Sequence, residues 1–221
     1  EAAAPADELS SQRTEARCMN LTIDGNRISL EKETNRLDEL AIAFSRELTT
    51  AGIEHIFLSG YVAILFGRNR ASEDVDVVCQ DVPFPVFAKF WDSIGSVLEC
   101  IITSDAESAY MDYLREKTAV RFARKGEFVP NVEMKFATTS MHREALANPI
   151  IVTLNGHPIP ISPFEQQIAY KLYMSSDKDV EDARFMFQLF REHIDVVRLV
   201  EYLDALAYPV QRARKYLGWM D

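Results

Sequence analysis

The sequence predicts an α+β fold: a mixed β-sheet core flanked by helices, followed by a small helical unit at the C-terminal end. Three observations carry that expectation. Short β-branched, apolar segments bounded by turn residues recur from residue 20 to residue 162. Apolar stripes at helical spacing lie between them. From Pro163 onward the strand-like segments stop and only helical stripes remain. The expected boundaries are a flexible N-terminal extension over 1–19, a core over 20–162 and a helical subdomain over 163–221. A chain of 221 residues buries about 70% of its unfolded surface and needs no staple.

Residues 20–30 read as a hairpin around Asp24-Gly25. Leu37, Leu40, Ala41, Phe44 and Leu48 mark an amphipathic helix over 33–50. HIFLS (55–59) is a short buried strand, 61–67 is helical in character, and DVDVVC (74–79) is a strand. A helix is expected from Pro83 to Ile94, a strand over 96–102, a helix over 106–115 and strands over 117–123 and 130–137. TTSMHREALAN is a short helix, and 150–162 is a hairpin around Asn155-Gly156. Three helices follow at about 163–175, 178–191 and 194–206. Ser162-Pro163-Phe164-Glu165 reads as a capping box with Pro at the first helical position.

The formal net charge is -10, from 24 basic and 34 acidic residues. That excludes a broad, non-specific nucleic-acid surface. The basic clusters Arg115, Lys117, Arg121, Arg124, Lys125 and Arg212, Arg214, Lys215 read as solvated faces. No apolar run approaches the roughly 18 residues of a membrane span. The first residues, EAAAPADELSSQRTEAR, have early acids and no apolar stretch, unlike a secretory signal. Cys18, Cys79 and Cys100 are scattered, which suits a reducing cytoplasm. The histidines His55, His142, His157 and His193 show no metal spacing, and Ser59 has no evident base for a hydrolase triad. No GxxxxGK[ST] loop is present.

The chemistry concentrates in SGYVAILFGRNRASEDVDVV, residues 59–78. Strand alternation puts Asp74 and Asp76 on one face, roughly 7 Å apart, with Val75 and Val77 on the other. Like charges this close repel, and burying them costs several kcal/mol unless something neutralises them. Mg²⁺ (or Mn²⁺) does so with hard oxygen ligands while keeping positions for phosphate oxygens and water. The alternative is an exposed edge strand with two solvated acids. Upstream, Ser59-Gly60 ends a strand and opens a helix. Gly lets the backbone approach a ligand, and the helix start offers free N–H groups to phosphate. Arg70 and Ser72 lie between the two features and add a cation and a hydroxyl. The layout suits a nucleoside triphosphate with its metal.

Gly60, Ala63, Gly67, Arg70, Ser72, Asp74, Val75 and Asp76 together resemble the first motif of the DNA polymerase β-type nucleotidyltransferase superfamily. The similarity is closest to the branch that holds the AbiE-type toxins of abortive-infection systems and related minimal nucleotidyltransferases. The usual first pair there is Gly-Gly or Gly-Ser, and here it is Ser59-Gly60. The resemblance implies a third carboxylate from a later strand, which completes a two-metal site with Asp74 and Asp76 and helps deprotonate the attacking hydroxyl. NVEMKF (131–136) supplies Glu133, with Val132 and Met134 on the opposite face. The family more often has Asp at that place. An ordinary surface acid is the other reading of Glu133, and Glu127 and Asp112 are weaker candidates.

Phe164, Ile168 and Leu172 make one apolar stripe, and Lys171 lies about 20° from Phe164 on the helical wheel. Its stem therefore points inward, toward an anion or along the core edge. In the next helix, Asp179 falls within the arc of Val180, Ala183, Met186, Phe187 and Phe190, and Asp182 sits at its edge. Asp179 either satisfies helix N-terminal N–H groups or pairs with Lys171. Lys171-Leu172 followed by Lys178-Asp179-x-x-Asp182 resembles the second signature of the AbiE-type branch. The resemblance implies that these residues face the cleft, with Lys171 on nucleotide phosphates and Asp179 or Asp182 ordering it.

The expected function is metal-dependent transfer of NMP from an NTP to a hydroxyl acceptor: RNA such as tRNA, a protein or a small molecule. The alternative is a non-catalytic partner or regulatory module, within a toxin–antitoxin pair and held by a cognate antitoxin. A glycosyltransferase using Asp-x-Asp would need a larger chain and a Rossmann-type first half.

Overall fold

The computed structural model describes residues 19–219. The extension expected over 1–19 lies, apart from Met19, outside them. Among the described residues the strands join in one nine-stranded mixed sheet. Its strands are β1 (Asn20–Asp24), β2 (Arg27–Glu31), β3 (His55–Leu58), β4 (Asp74–Cys79), β5 (Leu98–Cys100), β6 (Val120–Arg124), β7 (Asn131–Phe136), β8 (Ile150–Leu154) and β9 (His157–Ile161). The spatial order is β1-β2-β8-β9-β3-β4-β7-β6-β5. β4 lies between an antiparallel β3 and a parallel β7.

The first helix, α1 (Arg36–Thr50), starts at Asn35, whose side chain accepts the N–H groups of Leu37 and Asp38. Asp38 returns the contact to the Asn35 N–H, closing a capping box. The same carboxylate is fully buried and takes Lys32 at 2.8 Å and the Tyr61 hydroxyl at 3.1 Å. Tyr61 belongs to α2 (Gly60–Leu65), so this network pins the helix that follows Ser59.

Alternation on β4 and β7 sorts the two sheet faces. Val75, Val77, Val132 and Met134 enter the main core with α1 and α3 (Phe84–Ile94). Val78 and Ile56 face the other side and pack under Ala145 of α5 (Ser140–Ala147). The carboxylates of β4 lie on this second face, beyond the part that α5 covers. Between β5 and β6 runs α4 (Ala106–Ser108), continued by a π-helical turn over Ala109–Leu114.

The C-terminal helices are α6 (Phe164–Met174), α7 (Asp177–Leu189), α8 (Val196–Ala205) and α9 (Val210–Leu217). The sequence reading stopped at three; α9 is amphipathic, with Ala213 and Leu217 buried, but too short for a clear stripe. Phe164 stacks on Phe190 at 3.8 Å, and Phe66 meets Phe190 edge-on at 4.7 Å. One apolar core thus runs from the sheet into these helices. The capping box expected at Ser162 does not form. Pro163 is the cap residue and makes no side-chain cap bond. Ser162 instead extends the β9 edge, donating its N–H to the Phe57 carbonyl, and Glu165 accepts the Asp195 N–H.

Candidate active site

β4 brings Asp74 and Asp76 to one face, both half-buried. The register places Asp76 opposite Leu58 on β3 and opposite Glu133 on β7. Asp74 lies opposite Asn131, and the Ser72 hydroxyl donates to its carboxylate at 3.1 Å. The three expected acids and Ser72 therefore share one face of adjacent strands. The Asp76 carboxyl is pushed above its ordinary value, first by burial and then by Asp74. A hydrogen bond from Ser59 opposes this, Glu133 adds to it, and Lys135 opposes it weakly. Glu133 itself is turned to Arg121 on β6, which donates from Nη2 at 2.8 Å and Nε at 3.2 Å to one carboxylate oxygen.

Among the described residues no three His, Cys, Asp or Glu side chains close on a point that could hold a metal ion. The Asp74–Asp76 pair nevertheless fits a magnesium-bound nucleotide. Mg²⁺ is ordinarily held by one or two carboxylates plus substrate phosphates rather than by an all-protein cage. Burial and then the like charge of Asp74 raise Asp76, and a divalent cation relieves the charge crowding.

Ser59 caps α2 with φ 66° and ψ −136°, a region other residues than glycine rarely enter, at a cost of about 1–3 kcal/mol. Its N–H is held by the Gln167 side chain of α6 at 3.0 Å. Next to it, a Cβ on Gly60 would lie 2.0 Å from Nη2 of Arg70. Glycine is what lets the guanidinium rest on the start of α2. Gly60→Ala is expected to fold, because the clash is with the end of a flexible side chain. It should drive Arg70 off its carboxylate partner and lower stability by about 1 kcal/mol or more, since one cation of a buried ion-pair cluster is displaced. Urea unfolding checks this; an unchanged midpoint would show that Arg70 is not held there.

That partner is Asp182, which is wholly buried. Around it converge Arg70 Nη2 at 3.1 Å, Arg68 Nε at 2.5 Å and Lys171 Nζ at 2.8 Å. Lys171 also reaches Asp179 at 3.3 Å, while Arg68 reaches Glu181 at 2.6 Å. Ser176, the cap of α7, hydrogen-bonds the other Asp179 oxygen. Asp179 therefore takes the second of the two roles that the sequence left open, pairing with Lys171, while the Ser176 side chain caps the helix by accepting the Asp179 N–H. Lys178 is exposed and stands apart from this cluster.

Of the expected residues, Asp74, Asp76, Glu133, Ser72 and Ser59 form one group. Gly60, Arg70, Asp182, Lys171 and Asp179 form a second, adjoining it at Ser59-Gly60. Sequence reasoning missed Arg68, Gln167, Arg121 and Lys135. Two of these carried a signal. Lys135 shares the period-2 face of Glu133, and Gln167 lies one helical turn before Lys171. Arg121 depends on the register of β6 against β7, which a sequence does not display.

No protein-family model and no curated protein matches the sequence. Among solved structures, the chain is similar to an antigenic nucleotidyltransferase-like protein from Paracoccidioides brasiliensis. That likeness has 17% identity and a TM-score of 0.52, covering 81% of this chain and 90% of that one. It is also similar to the antibiotic-resistance factor ANT(2'')-Ia, at 10% identity and a TM-score of 0.50, covering 80% of this chain and 93% of that one. The likeness is one of fold: a mixed sheet flanked by helices, as in nucleotidyltransferase-like proteins.

Proposed function

From that shared fold we propose that the protein is a metal-dependent nucleotidyltransferase, moving NMP from an NTP to a hydroxyl acceptor. The observation that carries this reading is the register that sets Glu133 beside Asp76 on one sheet face, with Ser59-Gly60 at its edge. Asp74 and Asp76 would hold Mg²⁺ or Mn²⁺, which supplies charge neutralisation at the phosphates when bound. The Ser59 hydroxyl and the start of α2 would receive the triphosphate. Arg70 and Lys171 border that position, held in place by Asp182 and Asp179. Glu133, once freed from Arg121, would take the acceptor proton. The acceptor oxygen then bonds to the α-phosphorus in line, the bond to the β-phosphate breaks, and pyrophosphate leaves. The pairing of Lys171 with Asp179 and Asp182 supports placing the chain near the AbiE-type branch, with an antitoxin as its partner.

Calorimetric titration with each NTP, with and without Mg²⁺, tests the reading. Mg²⁺-dependent binding, lost in the Asp74→Asn/Asp76→Asn double variant, is the expected result. A folded protein that binds no NTP would turn the reading to a non-catalytic partner module.

A further inference from the structure

We infer that Arg121 is a resident counterion on Glu133, exchanged for a second divalent cation when the acid face is loaded. The inference rests on the nucleotidyltransferase reading and gives that site a form of regulation. It starts from register. Arg121 on β6 stands opposite Glu133 on β7, and Glu133 stands opposite Asp76 on β4. Neighbouring strands thus set a guanidinium and two carboxylates in one row across the sheet, each step about 4.8 Å. Asp74 lies two residues along β4 on the same face. Arg121 donates from Nη2 at 2.8 Å and from Nε at 3.2 Å, and both bonds end on one Glu133 oxygen. Glu133 is drawn toward β6. Among the described residues no third His, Cys, Asp or Glu side chain completes a metal-holding group with Asp74 and Asp76.

The pair does nothing for the fold that the strands do not already do. β6 and β7 are joined by their own ladder from Val120 to Ala123. Arg124, on the same strand, ties the sheet to Glu39 of α1, whereas Arg121 reaches only the next strand. The Arg121 side chain is 50% exposed and that of Glu133 23%. Pairs this open to water are weak and exchange readily. Lys171 with Asp182, 3% and 0% exposed, is the contrast, a buried pair that stays. Charge decides the exchange. Three carboxylates share the face, and burial, then Asp74, with Glu133 adding, push the Asp76 carboxyl upward. Lys135 offsets part of this at Asp76, and Arg121 offsets the charge of Glu133. Once Asp74 and Asp76 hold a cation, Arg121 faces a like charge across Glu133. Arg121 then swings out on its flexible stem, already half in water, and Glu133 turns both oxygens to a hard cation. Arg121 therefore sets the affinity of the second cation and leaves that of the first almost untouched.

The test counts Mn²⁺ bound to the full chain with a non-hydrolysable NTP, by electron paramagnetic resonance. It compares the wild type, Arg121→Gln, Glu133→Gln and the double variant. Arg121→Gln is expected to tighten the weaker Mn²⁺ about tenfold, the scale on which a residue behind a metal ligand acts. The tighter Mn²⁺ should change by less than about twofold, because an exposed charge acts weakly through solvent. Adding Arg121→Gln to Glu133→Gln should likewise change Mn²⁺ binding by less than about twofold. In the wild type, the Arg121 Nε–H resonance, identified by its loss in Arg121→Gln, should shift on saturation with Mg²⁺ and the NTP. Equal tightening with and without Glu133 would show that Arg121 acts only as a distant charge, and would overturn the inference. So would a folded Arg121→Gln protein whose weaker Mn²⁺ is unchanged or absent, or a resonance that stays in place. If the wild type binds no Mn²⁺ with the NTP, the nucleotidyltransferase reading falls, and the inference falls with it. If it binds Mn²⁺ and Arg121→Gln has no effect, this inference alone is removed.

Discussion

Replacing Asp76 by Asn is expected to lower nucleotide transfer by about a thousandfold or more while the protein stays folded. Asp76 sits in the middle of the acid face, with Glu133 on one side and Ser59 on the other. An amide there would halve the charge of the acid pair proposed to hold the metal, and metal neutralisation of phosphate charge is worth several kcal/mol in a transition state. The stability effect has the opposite sign. The folded-state pKa of Asp76 is raised from 3.8, first by burial and then by Asp74. Its contribution to stability is therefore complete below that value and is lost as pH rises through the folded pKa. At pH 7 the ionised carboxylate works against folding, so the Asn protein should melt at the same temperature or higher. The difference should vanish near pH 4, and added Mg²⁺ should raise the melting temperature of the wild type only. Thermal scans at the two pH values, beside a transfer assay, check both halves. Transfer that survives in the folded variant would sink the assignment of Asp76.

The second large effect is on stability. Asp182→Ala is expected to cost about 3–5 kcal/mol, because it leaves Arg68, Arg70 and Lys171 around an empty position in the interior. The Arg68 Nε contact has no hydrogen-bond geometry, so that part of the attraction is charge alone. In urea the midpoint should fall with little change in slope. Combining Asp182→Ala with Lys171→Met should recover part of the loss, since one stranded cation is removed. A loss below about 1 kcal/mol for Asp182→Ala would mean that the arginines simply swing to solvent.

Much of the fold and part of the site were legible in the sequence. The period-2 runs of β4, β7, β8 and β9 and the stripe of α1 carry their own signature, and their positions follow from it. β5 shrank to Leu98–Cys100 because it is an edge strand paired on one side only. The capping box at Ser162 failed because Glu165 has a longer-range partner in Asp195. In the site, what could be read was what one element shows by itself: Asp74 with Asp76, or Lys171 turned inward. What could not be read was pairing between distant segments. Arg68 beside Asp182 and Arg121 beside Glu133 depend on tertiary placement, as does the bond from the Ser59 N–H to Gln167, although the position of Gln167 one turn before Lys171 was visible.

The place of Asp182 in the chain has a consequence for how the protein is made. Arg68 and Arg70 leave the ribosome more than a hundred residues before their counterion. Glu133 comes from a strand that must pair beside β4 before the acid face exists, a shorter separation in the chain. Contacts this far apart in the chain form late, after the loops between them have closed. A nascent chain ending at residue 162 carries the acids and strands but has Arg70 beside Gly60, and Arg68, without Asp182. Such a fragment lacks the charge that lets α2 settle, so the start of α2 matures only with α7. Synthesis order thereby delays completion of the candidate site until the C-terminal helices have been made.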